Sequence, residues 1–329
     1  MFGSWQYYML KLVSRLVCLL PYGFVLFIGK LLGRLYYHVA ARQRRHALAQ
    51  IQESLSISRS QAEAIIKRLF VNLGQTFLEV MYTPALTPKK TKQYVTIENR
   101  HYLAEAIAQG RGVVFLTAHI GNWEWLGAAL AMDGFPMTSL IKRQPNEQHT
   151  RILNEYRQMV GIEIYTRGTA ELVAAAKALK QGKVLGFLAD QDAGVNGIFI
   201  KFLGKMASTP KGAAVFAKKF NSPVVPAFII RRPEGGHRVI INPPLYYEDT
   251  GSETQDLCNF TIRMTNVIET AIKKYPDEWM WFQKRWNTKL EDLRGQALVC
   301  ESEELPAENL AKEKGKLQST DEERIGERA

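Results

Sequence analysis

Hydrophobic and polar positions follow two different patterns along the chain. Apolar residues dominate the first 45 positions, whereas from about Tyr94 short apolar runs alternate with stretches where they recur every three or four positions. Short apolar runs are typical of buried strands, and the longer spacing is typical of helices packed on one face. Strands are predicted at 95–97, 113–117, 137–141, 162–165, 184–188, 224–230 and 238–241, and helices at 101–108, after Asn122, and at 147–160, 169–180, 210–219 and 254–274. This alternation predicts an α/β fold, with a mostly parallel sheet flanked by helices.

The segment before this alternating body is predicted to form one long helix. Ser60 and Glu63 have the spacing of a capping box, and Pro84 should stop the helix. The apolar residues between them repeat at helical spacing and are expected to pack in the core: Ile66, Leu69, Leu73, Phe77 and Val80.

The amino end is apolar from Leu12 to Tyr37 but is interrupted by charges and a proline. Its longest uncharged run, 16–29, is shorter than the ~20 residues of a straight membrane span. We expect a hydrophobic helix or helical hairpin (residues 1–45) lying in, or dipping through, the inner leaflet, with Arg42–Arg45 on the cytoplasmic side. A buried core helix pair is the alternative, and a cleaved signal peptide is disfavoured because Arg42 directly follows Ala40 and Ala41.

Charge is distributed unevenly around this segment. The net charge is +11, and the first 50 residues contain seven Lys or Arg and no Asp or Glu. This favours an anionic membrane surface as a partner. Nucleic acid is not expected, because no helix-turn-helix, zinc or single-strand-binding signature is present. The body is predicted to span 46–298, and the polar segment 299–329 is expected to be a disordered tail.

The three cysteines, Cys18, Cys258 and Cys300, are widely spaced and form no metal pattern. No disulfide framework is therefore implied, and a reducing cytosolic setting fits.

A histidine and a carboxylate occupy the turn that follows the second predicted strand. His119 comes just after strand 113–117, Asn122 is placed to cap the next helix, and Glu124 falls in its first turn. Such turns lie at the carboxyl edge of open sheets, where ligands bind. His119 is therefore a candidate general base, with Glu124 as the carboxylate that orients it. The alternative is a polar pair without catalytic function.

Three further groups of residues could contribute to a site. Asp190 and Asp192 follow the strand 184–188, where they could form a solvated turn, a hydrogen-bonding hub or part of a metal site. Thr209 and Pro210 have the pattern of a helix start. Arg143, Arg157 and Arg167 flank one part of the predicted sheet and could together clamp phosphates.

The stretch 119–124, His-Ile-Gly-Asn-Trp-Glu, resembles the motif of the late acyltransferases of lipid A biosynthesis, which are related to the His-x4-Asp glycerolipid acyltransferases. The ordered set of Arg157 and Arg167, Asp-Gln-Asp at 190–192, Phe-Leu-Gly at 202–204 with Thr209-Pro210, and Arg285-Trp286 strengthens the resemblance. Gln283 departs from the family pattern, which has a histidine at that point.

The resemblance implies an inner-membrane acyltransferase with its catalytic domain on the cytoplasmic side. A fatty acyl chain would pass from acyl carrier protein or coenzyme A to a hydroxyl of a lipid A precursor. His119 and Glu124 would be catalytic, and Asn122, Arg143, Arg157, Arg167, Asp190 and Arg285 would bind substrate. Backbone amides around Gly121 and Asn122 could stabilise the oxyanion.

No metal and no cofactor are required by this chemistry. Two alternatives remain: a phospholipid or glycolipid acyltransferase using the same chemistry, and a non-catalytic membrane-binding scaffold.

Overall fold

The computed structural model describes residues 4–141, 146–166, 169–292 and 298–300. Arg143, Arg167 and the predicted tail beyond Cys300 lie outside this part of the chain.

Four helices come first: α1 (Ser4–Cys18), α2 (Tyr22–Val39), α3 (Ala41–Leu55) and α4 (Arg59–Tyr82). The sheet and its helices follow: α5 (Pro88–Tyr94), β1 (Val95–Glu98), α6 (Arg100–Ala108), β2 (Val113–Thr117), α7 (Trp123–Met132), β3 (Met137–Ile141), α8 (Glu147–Met159), β4 (Glu163–Thr166), α9 (Thr169–Lys180), β5 (Val184–Leu188), β6 (Ile198–Phe202), β7 (Lys205–Thr209), α10 (Gly212–Phe220), β8 (Val224–Arg231), β9 (His237–Ile241) and α11 (Glu253–Lys274).

A seven-stranded sheet in the order β1-β9-β8-β2-β5-β3-β4 forms the centre of the molecule. Five neighbouring strands, β8 through β4, run parallel, and β9 turns back antiparallel to β8. All five residues of β2 are buried, as expected for a central strand covered on both faces. The predicted mostly parallel sheet flanked by helices is therefore confirmed.

Two apolar cores lie on opposite faces of this sheet. One contains residues of α9, α10 and α11, and the other contains residues of α6, α7 and α8. Helix α4 contributes to both, with Leu69 and Phe70 in the first core and Leu78 and Met81 in the second. The long helix that precedes the sheet is therefore part of the packed body.

The predicted helix-start signals were partly wrong. Helix α4 is capped by Ser58 and Gln61, whose side chains and backbone amides bond reciprocally, so the box lies two residues before the predicted one. Thr209 is the last residue of β7 and pairs with Ile198, because residues 198–209 form a β-hairpin. Helix α10 consequently begins at Gly212 instead of Pro210.

A disulfide joins Cys258 of α11 to Cys300. The segment 298–300 runs beside β6, where Phe199 bonds to both Leu298 and Cys300 through its backbone. The expectation that the cysteines would stay unpaired is wrong for these two, since the fold brings together residues 42 positions apart. Cys18 is half-buried and free.

Helices α2 and α4 approach each other closely through glycines. A Cβ atom added to Gly33 would lie 2.3 Å from the carbonyl oxygen of Phe70, and one added to Gly74 would lie 2.2 Å from that of Gly29. Both distances are far below van der Waals contact, so only glycine allows this packing. The inner face of α2 is thus fixed to the body, whereas its outer face exposes Phe24, Phe27, Leu31, Leu32 and Leu35.

Among the described residues no single helix has the length and apolar composition of a membrane span, although α2 and α3, bent by 89° at Ala40, pass that test as a pair. The predicted membrane association of residues 1–45 stays a prediction.

Replacing Gly33 by Ala should destabilise the protein, because the added methyl group forces the backbones of α2 and α4 apart. We expect the melting temperature to fall by several degrees, corresponding to about 1–3 kcal/mol of overpacking. Gly23→Ala in the same helix is the matched control, since a Cβ atom added there would have no neighbouring atom within 4 Å. Equal melting temperatures for the two variants would contradict the close packing.

Candidate active site

His119 and Asp190 meet where two neighbouring parallel strands end. Thr117 of β2 pairs with Leu188 of β5, and each functional side chain lies two residues past the end of its strand. The Nδ1 atom of His119 lies 2.8 Å from Oδ1 of Asp190, and the backbone N–H of His119 donates to Oδ2 at 2.9 Å. Asp190 therefore binds the ring and the backbone of the same residue.

The carboxylate of Asp190 is fully buried and accepts further hydrogen bonds from the segment that follows α11. Trp279 donates its indole N–H at 2.7 Å, and Gln283 donates its amide at 3.0 Å. Burial alone would raise the pKa of Asp190, but His119 and these two donors hold it well below its usual range. Asp190 is thus an ionised acceptor with donors from two segments, the turn after β2 and the segment after α11.

This geometry fixes the tautomer of His119. Because Nδ1 donates its proton to Asp190, Nε2 is the basic nitrogen of the neutral ring. Burial lowers the pKa of His119, but the charges of Asp190 and Glu124 outweigh burial and raise it. The amide nitrogen of Gln191 lies 3.4 Å from Nε2, and the His119 side chain is 15% exposed. The site therefore presents a basic nitrogen to an accessible space.

Glu124 does not orient His119, contrary to the expectation from sequence. Its carboxylate accepts two hydrogen bonds from Arg157, from Nε at 2.8 Å and from Nη2 at 2.5 Å. Arg157 also donates Nη1 to Asn154 at 3.3 Å. Asp190, which is two residues past the neighbouring strand, takes the orienting position because parallel strand ends meet at one edge. Glu124 acts on His119 only through its charge.

Asn122 is completely buried, and its side chain is occupied on both sides. Its Oδ1 atom caps α7 by accepting from the N–H of Trp125 at 3.1 Å, which confirms the predicted cap. Its Nδ2 atom donates to Glu79 of α4 at 3.0 Å. Both polar atoms of this side chain are therefore engaged by the protein, and its predicted substrate contact stays a prediction.

Gly121 is held tightly beside Asn122. Its N–H donates to the carbonyl of Glu278 at 2.9 Å, so this amide does not serve the oxyanion. Its φ of +59° and a Cβ position 2.1 Å from the carbonyl oxygen of Ile229 allow only glycine here.

Arg285, which the sequence predicts as a substrate ligand, is completely buried. Its guanidinium donates to the carbonyl of Ser208 and to Oγ1 of Thr209, and it stacks over Phe202. Burial lowers its pKa to about 10. Arg285 stabilises the hairpin β6–β7, and its role as a substrate ligand stays a prediction.

An apolar cavity of about 70 Å³ lies next to Glu124 and Arg157, between α7 and the strands β2, β3 and β5. Its wall is mostly apolar side chains and glycines, including Leu126, Gly127, Met137, Ile162, Gly186 and Leu188. Trp123 also lines the cavity, and its ring contacts that of His119 edge to face, with 4.9 Å between the ring centroids. Trp123 therefore contacts both the ring of His119 and this cavity.

Sequence reasoning missed the residues that support Asp190. Trp279 and Gln283 are about ninety positions away from Asp190, and no spacing rule connects them. The pairing of Glu79 with Arg231 and His237 was missed because Glu79 lies inside an amphipathic helix pattern. Within the described ranges, no group of three or more metal-ligating side chains is brought together.

Known proteins of one family resemble this chain over most of its length. Residues 1–288 match the family described as bacterial lipid A biosynthesis acyltransferase. A phosphatidylinositol mannoside acyltransferase of Mycolicibacterium smegmatis is 24% identical over 70% of this chain and 75% of its own length. A lipid A biosynthesis acyltransferase of Haemophilus influenzae is 24% identical over 87% of this chain and 91% of its own length, and the lauroyltransferase of Escherichia coli is 23% identical over 85% and 90%. The chain therefore belongs to the bacterial lipid A biosynthesis acyltransferase family and is an enzyme that transfers acyl groups.

Proposed function

We propose that this enzyme moves a fatty acyl chain from a thioester of acyl carrier protein or coenzyme A to a hydroxyl of a lipid A precursor. The observation that carries the proposal is the His119–Asp190 pair, together with the apolar cavity whose wall includes Trp123, the ring neighbour of His119. Acyl transfer to a hydroxyl needs a group that removes the hydroxyl proton and a site that holds the acyl chain, and a general base next to an apolar cavity provides both.

The reaction follows from the tautomer of His119. Nε2 takes the proton of the acceptor hydroxyl as its oxygen attacks the thioester carbonyl, and the imidazolium is stabilised by Asp190. The tetrahedral intermediate then collapses, the carbon–sulfur bond breaks, and the imidazolium returns its proton to the leaving thiolate. Asp190 remains ionised throughout, consistent with its low pKa.

We assign the oxyanion donor to the side-chain amide of Gln191. It lies 3.4 Å from the reacting nitrogen, whereas the N–H of Gly121 is already bonded to Glu278. One well-placed donor of this kind contributes about 10²–10³ to the rate.

Glu124 and Arg157 have a supporting function in this proposal. Their bidentate pair forms part of the cavity wall, and the charge of Glu124 helps to keep His119 basic. Because Glu124 already engages two of the three guanidinium nitrogens of Arg157, this arginine is unsuited to clamp a phosphate, contrary to the expectation from sequence.

Replacing His119 by Ala should reduce acyl transfer by about 10²–10⁴, the contribution of a positioned general base. Asp190→Asn should also lower the maximal rate, because the amide no longer fixes the ring or stabilises its charged form. The pH dependence of acyl transfer distinguishes the effect of Asp190 from that of His119. In the wild type, activity is lost as the pH falls through a His119 pKa above its ordinary value, whereas in Asp190→Asn this loss should move to lower pH.

His101→Ala and Asp133→Asn are the controls, since one lies on α6 and the other loses a surface pair with Arg100. The measurement is kcat/KM against pH for acyl transfer. An acid limb at the same pH in the wild type and in Asp190→Asn would exclude Asp190 as the partner of the base.

The cavity is our candidate site for the acyl chain, and Gly127 in its wall provides a test. Gly127→Leu should fill much of the space, because even a Cβ atom there would lie 3.0 Å from Cδ1 of Ile162. Transfer of long acyl chains should drop at least tenfold, while transfer of a short chain, measured with the same variant, should change little. An unchanged ratio of long-chain to short-chain rates would place the acyl chain elsewhere.

The acceptor could instead be another glycolipid, since one relative is named as a phosphatidylinositol mannoside acyltransferase. Transfer assays that offer a lipid A precursor and a mannosylated phosphatidylinositol in parallel decide between these acceptors. The positive net charge of +11 suits an acidic carrier protein as donor.

We further propose that the outer faces of α1 and α2 rest on the inner membrane with the catalytic domain on its cytoplasmic side. Both helices expose large apolar side chains, among them Trp5 (55%), Leu12 (58%), Phe27 (53%) and Leu35 (60%). They lie among basic residues without acids, as in helices that bind anionic bilayers.

The double change Phe27→Glu with Leu31→Glu should release the protein from anionic vesicles in a flotation assay. The matched control is Leu172→Glu with Val173→Glu, two exposed apolar residues on α9. Wild-type binding should persist at 1 M salt, where charge attraction is screened within about 3 Å. Release of the wild type by salt alone would refute apolar insertion.

A further inference from the structure

Glu79 of α4 is a buried carboxylate that accepts hydrogen bonds from four side chains on four different segments. Arg231 donates from both terminal nitrogens, at 2.7 and 2.8 Å. Tyr22 of α2 donates at 2.8 Å, Asn122 at 3.0 Å, and Nε2 of His237 lies 3.0 Å from both oxygens. The exposed fraction of Glu79 is zero. This carboxylate therefore ties together α2, β8, β9 and the turn before α7.

The charges of this cluster balance. Burial acts to raise the pKa of Glu79, but Arg231 and His237 hold it well below its usual range. Burial lowers the pKa of His237, so its ring is neutral and donates from Nε2. One negative and one positive group remain, so removing either of them would leave a buried charge without its partner.

The cluster touches the site through Asn122. The same side chain that donates to Glu79 also caps α7, and the backbone carbonyl of Glu79 accepts from the indole of Trp125 at 3.0 Å. Helix α7 begins at Trp123, which contacts His119 and is followed by Glu124. The start of α7 is thus held against α4 by two bonds, one to the side chain and one to the backbone of Glu79.

A second connection reaches the turn from β8. The backbone N–H of Arg231 donates to the carboxyl of Glu278 at 3.1 Å, and the carbonyl of Glu278 accepts the N–H of Gly121. Residues 119–122 are therefore clamped between Asp190 on one side and the Glu79 cluster on the other.

We propose that Glu79 is a positioning residue for acyl transfer, which rests on the function proposed above. Through Asn122 it fixes the turn 119–122 and the first turn of α7, and through Tyr22 it connects that turn to α2. Glu79 touches no substrate. Its effect is on the placement of the base and of the residues in front of it, so it acts on kcat more than on KM.

Asn122→Asp tests this without removing the helix cap. The carboxylate of the new aspartate can still accept a hydrogen bond from the N–H of Trp125. Toward Glu79, however, it presents a second carboxylate where Asn122 presents an N–H donor. We expect kcat to fall at least tenfold with KM changed less than threefold, and the loss to shrink at low pH, where protonation of the new acid restores a donor. Asn259→Asp, an exposed asparagine on α11, is the matched control.

The exchanged pair Glu79→Gln with Asn122→Asp provides the rescue. It keeps one acid and one amide across the same hydrogen bond, so it should recover at least a third of the kcat lost by Asn122→Asp. Tyr22→Phe, which cuts only the bond to α2, should have a two- to threefold effect. No recovery in the exchanged pair, in a protein with the wild-type melting temperature, would refute the proposal.

Amide hydrogen exchange of residues 118–126 tests the same proposal without substrate. Exchange should be faster in Asn122→Asp, return toward wild type in the exchanged pair, and stay unchanged in α11. If the wild type shows no acyl transfer while exchange behaves in this way, the proposed function fails and the positioning by Glu79 stands. Unchanged exchange in Asn122→Asp overturns the positioning.

Discussion

The hydrogen bonds to Asp190 impose an order on the site that no single element could provide. A buried carboxylate is tolerated only when it is paired and hydrogen-bonded, and each missing donor would leave a costly charge. Its donors come from the turn after β2 and from the segment after α11, at Trp279 and Gln283. The late part of the chain must therefore pack onto the ends of the central strands before His119 has its base tautomer. The geometry of the His119–Asp190 pair therefore depends on the packing of the segment after α11.

The two acids of the region have separate tasks because their surroundings differ. Asp190 is surrounded by neutral donors and one imidazole, so its charge acts directly on the ring. Glu124 is neutralised by a bidentate arginine at the rim of the apolar cavity, so its charge reaches the ring only weakly. The spacing His-x4-Glu thus reports that both residues belong to one site, but it does not report which carboxylate bonds to which nitrogen.

Much of the fold could be predicted from the sequence, since the central strands of the main sheet, such as β2 and β5, are short apolar runs and the flanking helices have their own periodicity. The family resemblance implies that His119 and Asp190 belong to one site, whereas the sequence does not show that the strands before them are parallel neighbours. The hairpin 198–209 was missed because Thr209-Pro210 has the pattern of a helix start, although the pairing of Ile198 with Thr209 prevails. For Arg285 and Asn122 the sequence suggests substrate binding, because polar side chains in a motif often contact ligands. Their complete burial depends on packing between distant segments, which local patterns do not encode.

The glycine contact between α2 and α4 has a geometric consequence for a lipid substrate. Backbones that touch at Gly33 and Gly74 cannot pivot on each other, unlike helices separated by long side chains. If the outer face of α2 rests on a membrane, as proposed above, the sheet keeps a single tilt to that membrane, and His119 stays at one height above it. An acceptor anchored in that surface must then present its hydroxyl at that height. The fixed height of His119 would then select acceptors by the distance of their hydroxyl from the surface, independently of any contact between a side chain and the headgroup.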